Sequence, residues 1–234
     1  MRKLFSWLLG SGKPAESPPP ALPALDSNDL DDLLMSGTEL SMLDWDAVDS
    51  RADRLAGGDH DRDLWRRAVV AAWLDQLKSE LSTPHVRWRT ACIEGLAPSE
   101  NHMDSVIRQT AEDSLVSVQA ALGDAWDKHP ISPVAVVAVA TIEDYYTLKS
   151  ATFEGEGEFA GSGGCFLKRS FPVVLLPTTT RWTVESTIAH ELAHHAMSDL
   201  SLPLWVEEGL TQMMEERVTR HTSFRVDREI VERH

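Results

Sequence analysis

Residues 133–140 read Pro-Val-Ala-Val-Val-Ala-Val-Ala and place no polar side chain on either side of an extended chain. Valine is stiff at its first side-chain torsion and suits a strand, and the lack of polar alternation means that both faces of that strand are covered. The chain must therefore bring apolar elements to both sides of this one segment. Residues 63–81 carry Leu64, Val69, Ala72, Trp73 and Leu77 at spacings of three to five and stop before Pro84, which predicts a helix. Alternation over 85–93 predicts a strand. Ser99 or Asn101 opens a long helix to about Trp126, with Met103, Val106, Ile107, Thr110, Leu115, Val118 and Leu122 in its buried stripe and Gly123 and Pro130 at its exit. Thr141 is placed to cap a short helix over 142–150. Glycines 155, 157, 161, 163 and 164 mark residues 151–164 as a loop, followed by an edge strand over 165–168 and a last strand over 171–176. That loop is no phosphate cradle, because no G-K-[ST] follows and Glu154, Glu156 and Glu158 repel phosphate. The order of elements predicts an α+β fold, a small mixed sheet packed on helices.

After Pro177-Thr178-Thr179-Thr180 the chain reads as a helix containing His190-Glu191-Leu192-Ala193-His194, with apolar Ile188, Leu192 and Ala196 to bury. Residues four apart share a helix face, so His190 and His194 can aim two imidazole nitrogens at one point, a geometry that zinc accepts. Glu191 lies about 100° round the helix from His190. Its carboxylate falls beside such an ion, where a base acting on water belongs. A catalytic zinc takes a third protein ligand. Glu207 and Glu208 are the candidates, carried into the first turn of a second helix that begins around Asp199, Ser201 and Pro203.

His190-Glu191-Leu192-Ala193-His194 followed by Leu204-Trp205-Val206-Glu207-Glu208-Gly209-Leu210 resembles the gluzincin metallopeptidases, and is similar to the catalytic core of the aminopeptidase-N-like and thermolysin-like proteases. Their second motif is W-x-x-E-G, in which the Glu before the Gly is the third zinc ligand. The resemblance spans about residues 84–220. It implies a zincin-like fold with a metal helix and a ligand helix, one zinc ion held by His190, His194 and Glu208, and Glu191 as general base. The implied activity is hydrolysis of peptide bonds in a peptide or protein substrate. It also implies that residues 160–168 offer backbone groups to an extended substrate, weighed here against an ordinary hairpin edge. For the oxyanion, Tyr145, Tyr146, Arg217 and His221 are available; for orienting the ligand rings, Glu185, Asp199 and Gln212. His195 points about 100° away from His194 and is expected to pack or to support the site from outside. The alternative is a catalytically inactive zinc-binding module whose acidic arm recruits a partner.

Three stretches divide the chain: a flexible Pro-rich leader over 1–25, an acidic helical extension over 26–83 and the zincin-like domain over 84–234. In the extension, Asp29, Asp31, Asp32, Asp44, Asp46 and Asp49 alternate with Leu30, Leu33, Leu34, Leu40, Leu43 and Trp45. Such a mixture forms either short helices lying on the domain or a partly disordered arm. The formal net charge of −15 argues against a nucleic-acid partner. Met1-Arg2-Lys3 before Leu4-Phe5-Ser6-Trp7-Leu8-Leu9 has the order of a signal peptide without a small-x-small cleavage site, so it is read as retained, either frayed or as a weak membrane or partner contact. No window approaches the roughly 20 apolar residues of a membrane span. Cys92 and Cys165 make no disulfide framework. A cytoplasmic setting follows, with export or membrane association through the N-terminal segment as the alternative. Residues 226–233 read as a charged helix.

Overall fold

In the computed structural model, which describes residues 18–25, 27–55, 57–123, 132–152 and 163–220, the valine run becomes the central strand of a five-stranded mixed sheet. This strand, β3 (Val134–Val139), is buried at every position. It pairs in parallel with β2 (Ile93–Pro98) on one side and β5 (Val173–Pro177) on the other. The outer strands, β1 (His85–Arg89) and β4 (Cys165–Leu167), run antiparallel to β2 and β5, so the order is β1-β2-β3-β5-β4. The leader to residue 17, most of the glycine loop, the helix exit towards Trp126, His221 and the 226–233 stretch lie outside the described residues.

Alternate side chains of β3 face different layers. Ala135, Val137 and Val139 pack with Trp65, Val69, Trp73 and Leu77 of α3 (Asp59–Glu80) and with Tyr145 and Leu148 of α5 (Ile142–Ser150). Val134, Val136 and Ala138 pack with Ile107, Ala111 and Leu115 of α4 (Met103–Leu122) and with Val184, Ile188 and Leu192 of α6 (Arg181–Met197). With α1 (Ser27–Asp31), α2 (Trp45–Ala52) and α7 (Leu204–Thr219), seven helices and the sheet make an α+β fold among the described residues. None of these helices is long and apolar enough to cross a membrane.

The acidic extension is held by the leucines between its aspartates. Leu33, Leu40, Met42, Leu43, Val48 and Ala52 enter the same apolar cluster as Trp65, Trp73 and the lower face of β3. Asp44 caps α2 by accepting from the Asp46 and Ala47 N–H groups at 3.1 and 3.0 Å, and Trp73 Nε1 donates to the Ser41 carbonyl at 2.7 Å.

The single strand expected over 85–93 is two. Thr90 Oγ1 accepts from the N–H groups of Cys92 and Ile93 at 3.2 and 3.1 Å and folds the chain back, so that β2 lies antiparallel to β1. β2 escapes a hydrophobic reading because it contains Glu94 and Gly95. Fully buried Glu94 accepts from Arg67 Nε at 2.8 Å and from an Arg87 guanidinium nitrogen at 3.1 Å, while Arg67 also donates to the Thr90 and Ala91 carbonyls, both at 2.6 Å. A buried charge is tolerated only when paired in this way. Gly95 lies opposite Trp88, whose ring would stand 2.1 Å from any Cβ placed there. The long helix starts later than expected: a 3-10 turn, Glu100–His102, precedes Met103, with Asn101 and His102 in the left-handed region.

Candidate metal centre

Thr180 begins α6 by accepting from the Thr183 N–H, just after Thr178 has bonded back to the Val139 carbonyl at 2.7 Å. The helix is thus anchored at the carboxyl end of the central strand. Its Val184-Ile188-Leu192 stripe lies on the sheet, which leaves His190 and His194 half-buried on another face. The chain turns through residues 198–203, and Pro203 stands at the N-cap position of α7 with no side-chain hydrogen bond, where the expectation offered Asp199 or Ser201 as cap. Asp199 instead accepts from Lys168 Nζ at 3.1 Å, tying the end of β4 to the end of α6. Ala193 and Met197 of α6 pack against Leu210 and Met214 of α7.

This pairing brings His190, His194 and Glu208 together, with one donor atom of each lying within 4.8 Å of the others. The two Nε2 atoms stand 3.2 Å apart. Glu208 places one oxygen 3.7 Å from His190 Nε2 and the other 3.5 Å from His194 Nε2. Two ligands bound at about 2.0 to 2.1 Å and at a tetrahedral angle lie about 3.4 Å apart, so the triangle has the dimensions of a tetrahedral metal site. Two neutral imidazoles and a carboxylate suit a divalent transition metal. The group could hold a metal ion.

Each ring has a second carboxylate behind it. Glu207 Oε1 accepts from His194 Nδ1 at 2.8 Å, and Glu215 Oε2 stands 3.5 Å from His190 Nδ1. Such partners fix the tautomer and leave the Nε2 lone pair free for a metal. Two of the three residues expected in this role pair elsewhere: Glu185 with Arg181 at 2.8 Å and Asp199 with Lys168 at 3.1 Å. Glu207 is the other candidate for the third ligand, and the resemblance gives that place to Glu208. Glu215 was missed, and its signal is its spacing, seven residues or two turns past Glu208 on the same helix face.

Glu191 lies beside the triangle and not in it. Burial pushes its carboxyl up to about 7, against the opposing pull of His190, of the Phe166 N–H that donates to it and of Lys149; the nearby Glu208 charge adds to the rise. β4 comes this close because Gly164, just before it, has no side chain: a Cβ there would stand 2.3 Å from Thr187 Cγ2 and 3.5 Å from Glu191 Cγ. His195 packs, as expected. It is buried, its Nε2 donates to the Ser132 carbonyl at 2.9 Å, and burial holds its pKa down to about 4. Tyr145 is fully buried against Cys165 and Lys149, which removes it from the oxyanion candidates; Tyr146 is exposed and Arg217 stands near the end of α7. A cleft of about 860 Å³ lies between Met42–Asp49 and Lys168–Ser170 and is lined by none of the candidate ligands.

A scan against protein-family models finds no match to this chain, and searches of curated proteins and of solved structures find none either.

Proposed function

We propose that this chain is a zinc-dependent metallopeptidase of the gluzincin kind, with His190, His194 and Glu208 holding one zinc ion. One observation carries the reading: a triangle of two ring nitrogens and a carboxylate, of metal-site dimensions, with a partly buried carboxyl of raised pKa beside it. Zinc, when bound, supplies Lewis acidity that polarises a scissile carbonyl and acidifies water.

The chain's own residues do the rest. Glu191 takes a proton from the attacking water and passes it to the leaving amine. The Phe166 N–H steadies that carboxylate from β4. Glu207 holds the His194 ring, and Glu215 stands behind that of His190 at 3.5 Å, so that the Nε2 atoms converge. Peptide libraries incubated with the zinc-loaded chain and with Glu191→Gln, and read by mass spectrometry, test the proposal. The parent should cleave, while the variant keeps one equivalent of zinc and cleaves nothing. Equal cleavage by both refutes the role of Glu191; zinc binding without cleavage by the parent supports the inactive interaction module instead.

A further inference from the structure

The cleft of about 860 Å³ is walled on one side by the acidic extension and on the other by the turn that follows β4. Its volume falls within the roughly 300–1,000 Å³ of binding sites. Asp44, Asp46 and Asp49 stand on the extension side, beside Met35 and Trp45. Asp44 and Asp46 are exposed and enter no ion pair among the described residues, whereas Asp49 is taken by Arg66 at 3.0 Å. On the far wall Lys168 is paired with Asp199 at 3.1 Å, and Arg169 is the other cation there. The extension side thus offers two carboxylates and an apolar surface together, which suits a peptide that carries basic and large apolar side chains.

Such a peptide is part of the chain. Residues 1–13 hold Arg2, Lys3 and Lys13 with no acidic residue, in a chain of formal charge −15, and carry Leu4, Phe5, Trp7, Leu8 and Leu9 between them. The chain leads there from Leu25, which packs on the same apolar cluster as Leu43 and Trp45 of the cleft wall. Residues 14–24 contain five prolines, and an extended proline-rich chain spans about 3.1 Å per residue, so they can cover roughly 34 Å. That is several times the width of a helix, about 10 to 12 Å, so reach does not limit the contact. A tether of this length keeps the segment at an effective concentration on the order of millimolar, and a contact too weak to retain a free peptide is then still occupied.

We propose that the basic, apolar segment at the start of this chain docks in the cleft, with Arg2 and Lys3 against Asp44 and Asp46 and the Phe5 and Trp7 rings against Met35 and Trp45. The inference is independent of the peptidase reading. Its test is carbodiimide cross-linking of the full chain at micromolar concentration, which joins a lysine to a carboxylate in contact with it and is read by peptide mass spectrometry. Lys3 should be linked to Asp44 or Asp46 about fivefold more often than to Asp31, Asp32 or Asp53, which are equally exposed. In the full chain carrying Arg2→Glu and Lys3→Glu, the amides of residues 42–49 should exchange hydrogen about threefold faster than in the parent, with circular dichroism unchanged. Links spread evenly over the acidic residues, or exchange that does not change, overturn the proposal. Links that join light to heavy chains in an isotopically mixed sample also overturn it, by giving the cleft to a second copy. So does unchanged exchange in a parent that binds vesicles of phosphatidylcholine and phosphatidylserine through Arg2 and Lys3, which gives the segment to a membrane.

Discussion

Glu207 Oε1 lies 2.8 Å from His194 Nδ1, while the next residue, Glu208, places an oxygen 3.5 Å from the other nitrogen of the same ring. Consecutive helical residues point about 100° apart. They serve one centre because an imidazole offers its two nitrogens on different edges, and the ring of His194 stands between the two carboxylates. Glu207→Ala should therefore weaken metal binding by about 10- to 100-fold without abolishing it. Competition with a chelator of known affinity measures this, and unchanged affinity would contradict the support role.

Replacing a ligand has a larger effect than replacing its support. His190→Ala, His194→Ala and Glu208→Ala should each leave less than stoichiometric zinc after dialysis, while Glu207→Ala retains it at saturating metal. Elemental analysis of the four proteins distinguishes ligands from supports, and a full equivalent retained by Glu208→Ala would move the third ligand elsewhere.

The raised pKa of Glu191 makes a stability prediction for the metal-free protein. A carboxyl near 7 in the folded state against 4.5 unfolded stabilises the fold below 4.5, and that contribution is lost as the pH rises through 7. Glu191→Gln removes the penalty, so above pH 7 it should stabilise the metal-free chain by up to about 3 kcal/mol. Near pH 4 no such gain is expected. Urea titrations at the two pH values check the difference, and an equal effect at both argues against the shift.

His195 predicts the acid limb. With its pKa held to about 4 by burial, it stays neutral in the fold while the unfolded chain takes up a proton near 6.5. Its contribution is complete above 6.5 and is lost as the pH falls towards 4, amounting to about 3 kcal/mol in all. His195→Gln should flatten that part of the pH–stability curve; a curve of unchanged slope would show that another group dominates there.

Gly95 is a close-packing position. Gly95→Ala drives a methyl into the Trp88 ring and should cost about 1 to 3 kcal/mol in chemical denaturation. In a Trp88→Ala background the same change should cost much less, because the two residues share one contact.

Much of the centre is encoded locally. The four-residue spacing of His190 and His194 puts them on one helix face in any fold that makes the helix, and Thr180 starts that helix by capping it. Thr141 does the same for α5, accepting from the Asp144 N–H at 3.0 Å. The valine run announces a strand covered on both faces, and β3 is one.

What the sequence could not yield depends on partners far along the chain. β2 escaped a hydrophobic reading because its Glu94 is made tolerable by Arg67, 27 residues away, and its Gly95 by the ring of Trp88 on the neighbouring strand. Glu207 and Glu208 are chemically alike and adjacent, so composition and spacing leave both as candidates for the third ligand, and only the packing of α7 along α6 places one before Nε2 and the other behind Nδ1. The same packing recruits Glu215 to His190. Local pattern therefore determined the helices and the histidine pair, because neighbours within a turn dictate those. The tertiary structure decided which carboxylate does what, because that depends on where one helix surface meets another.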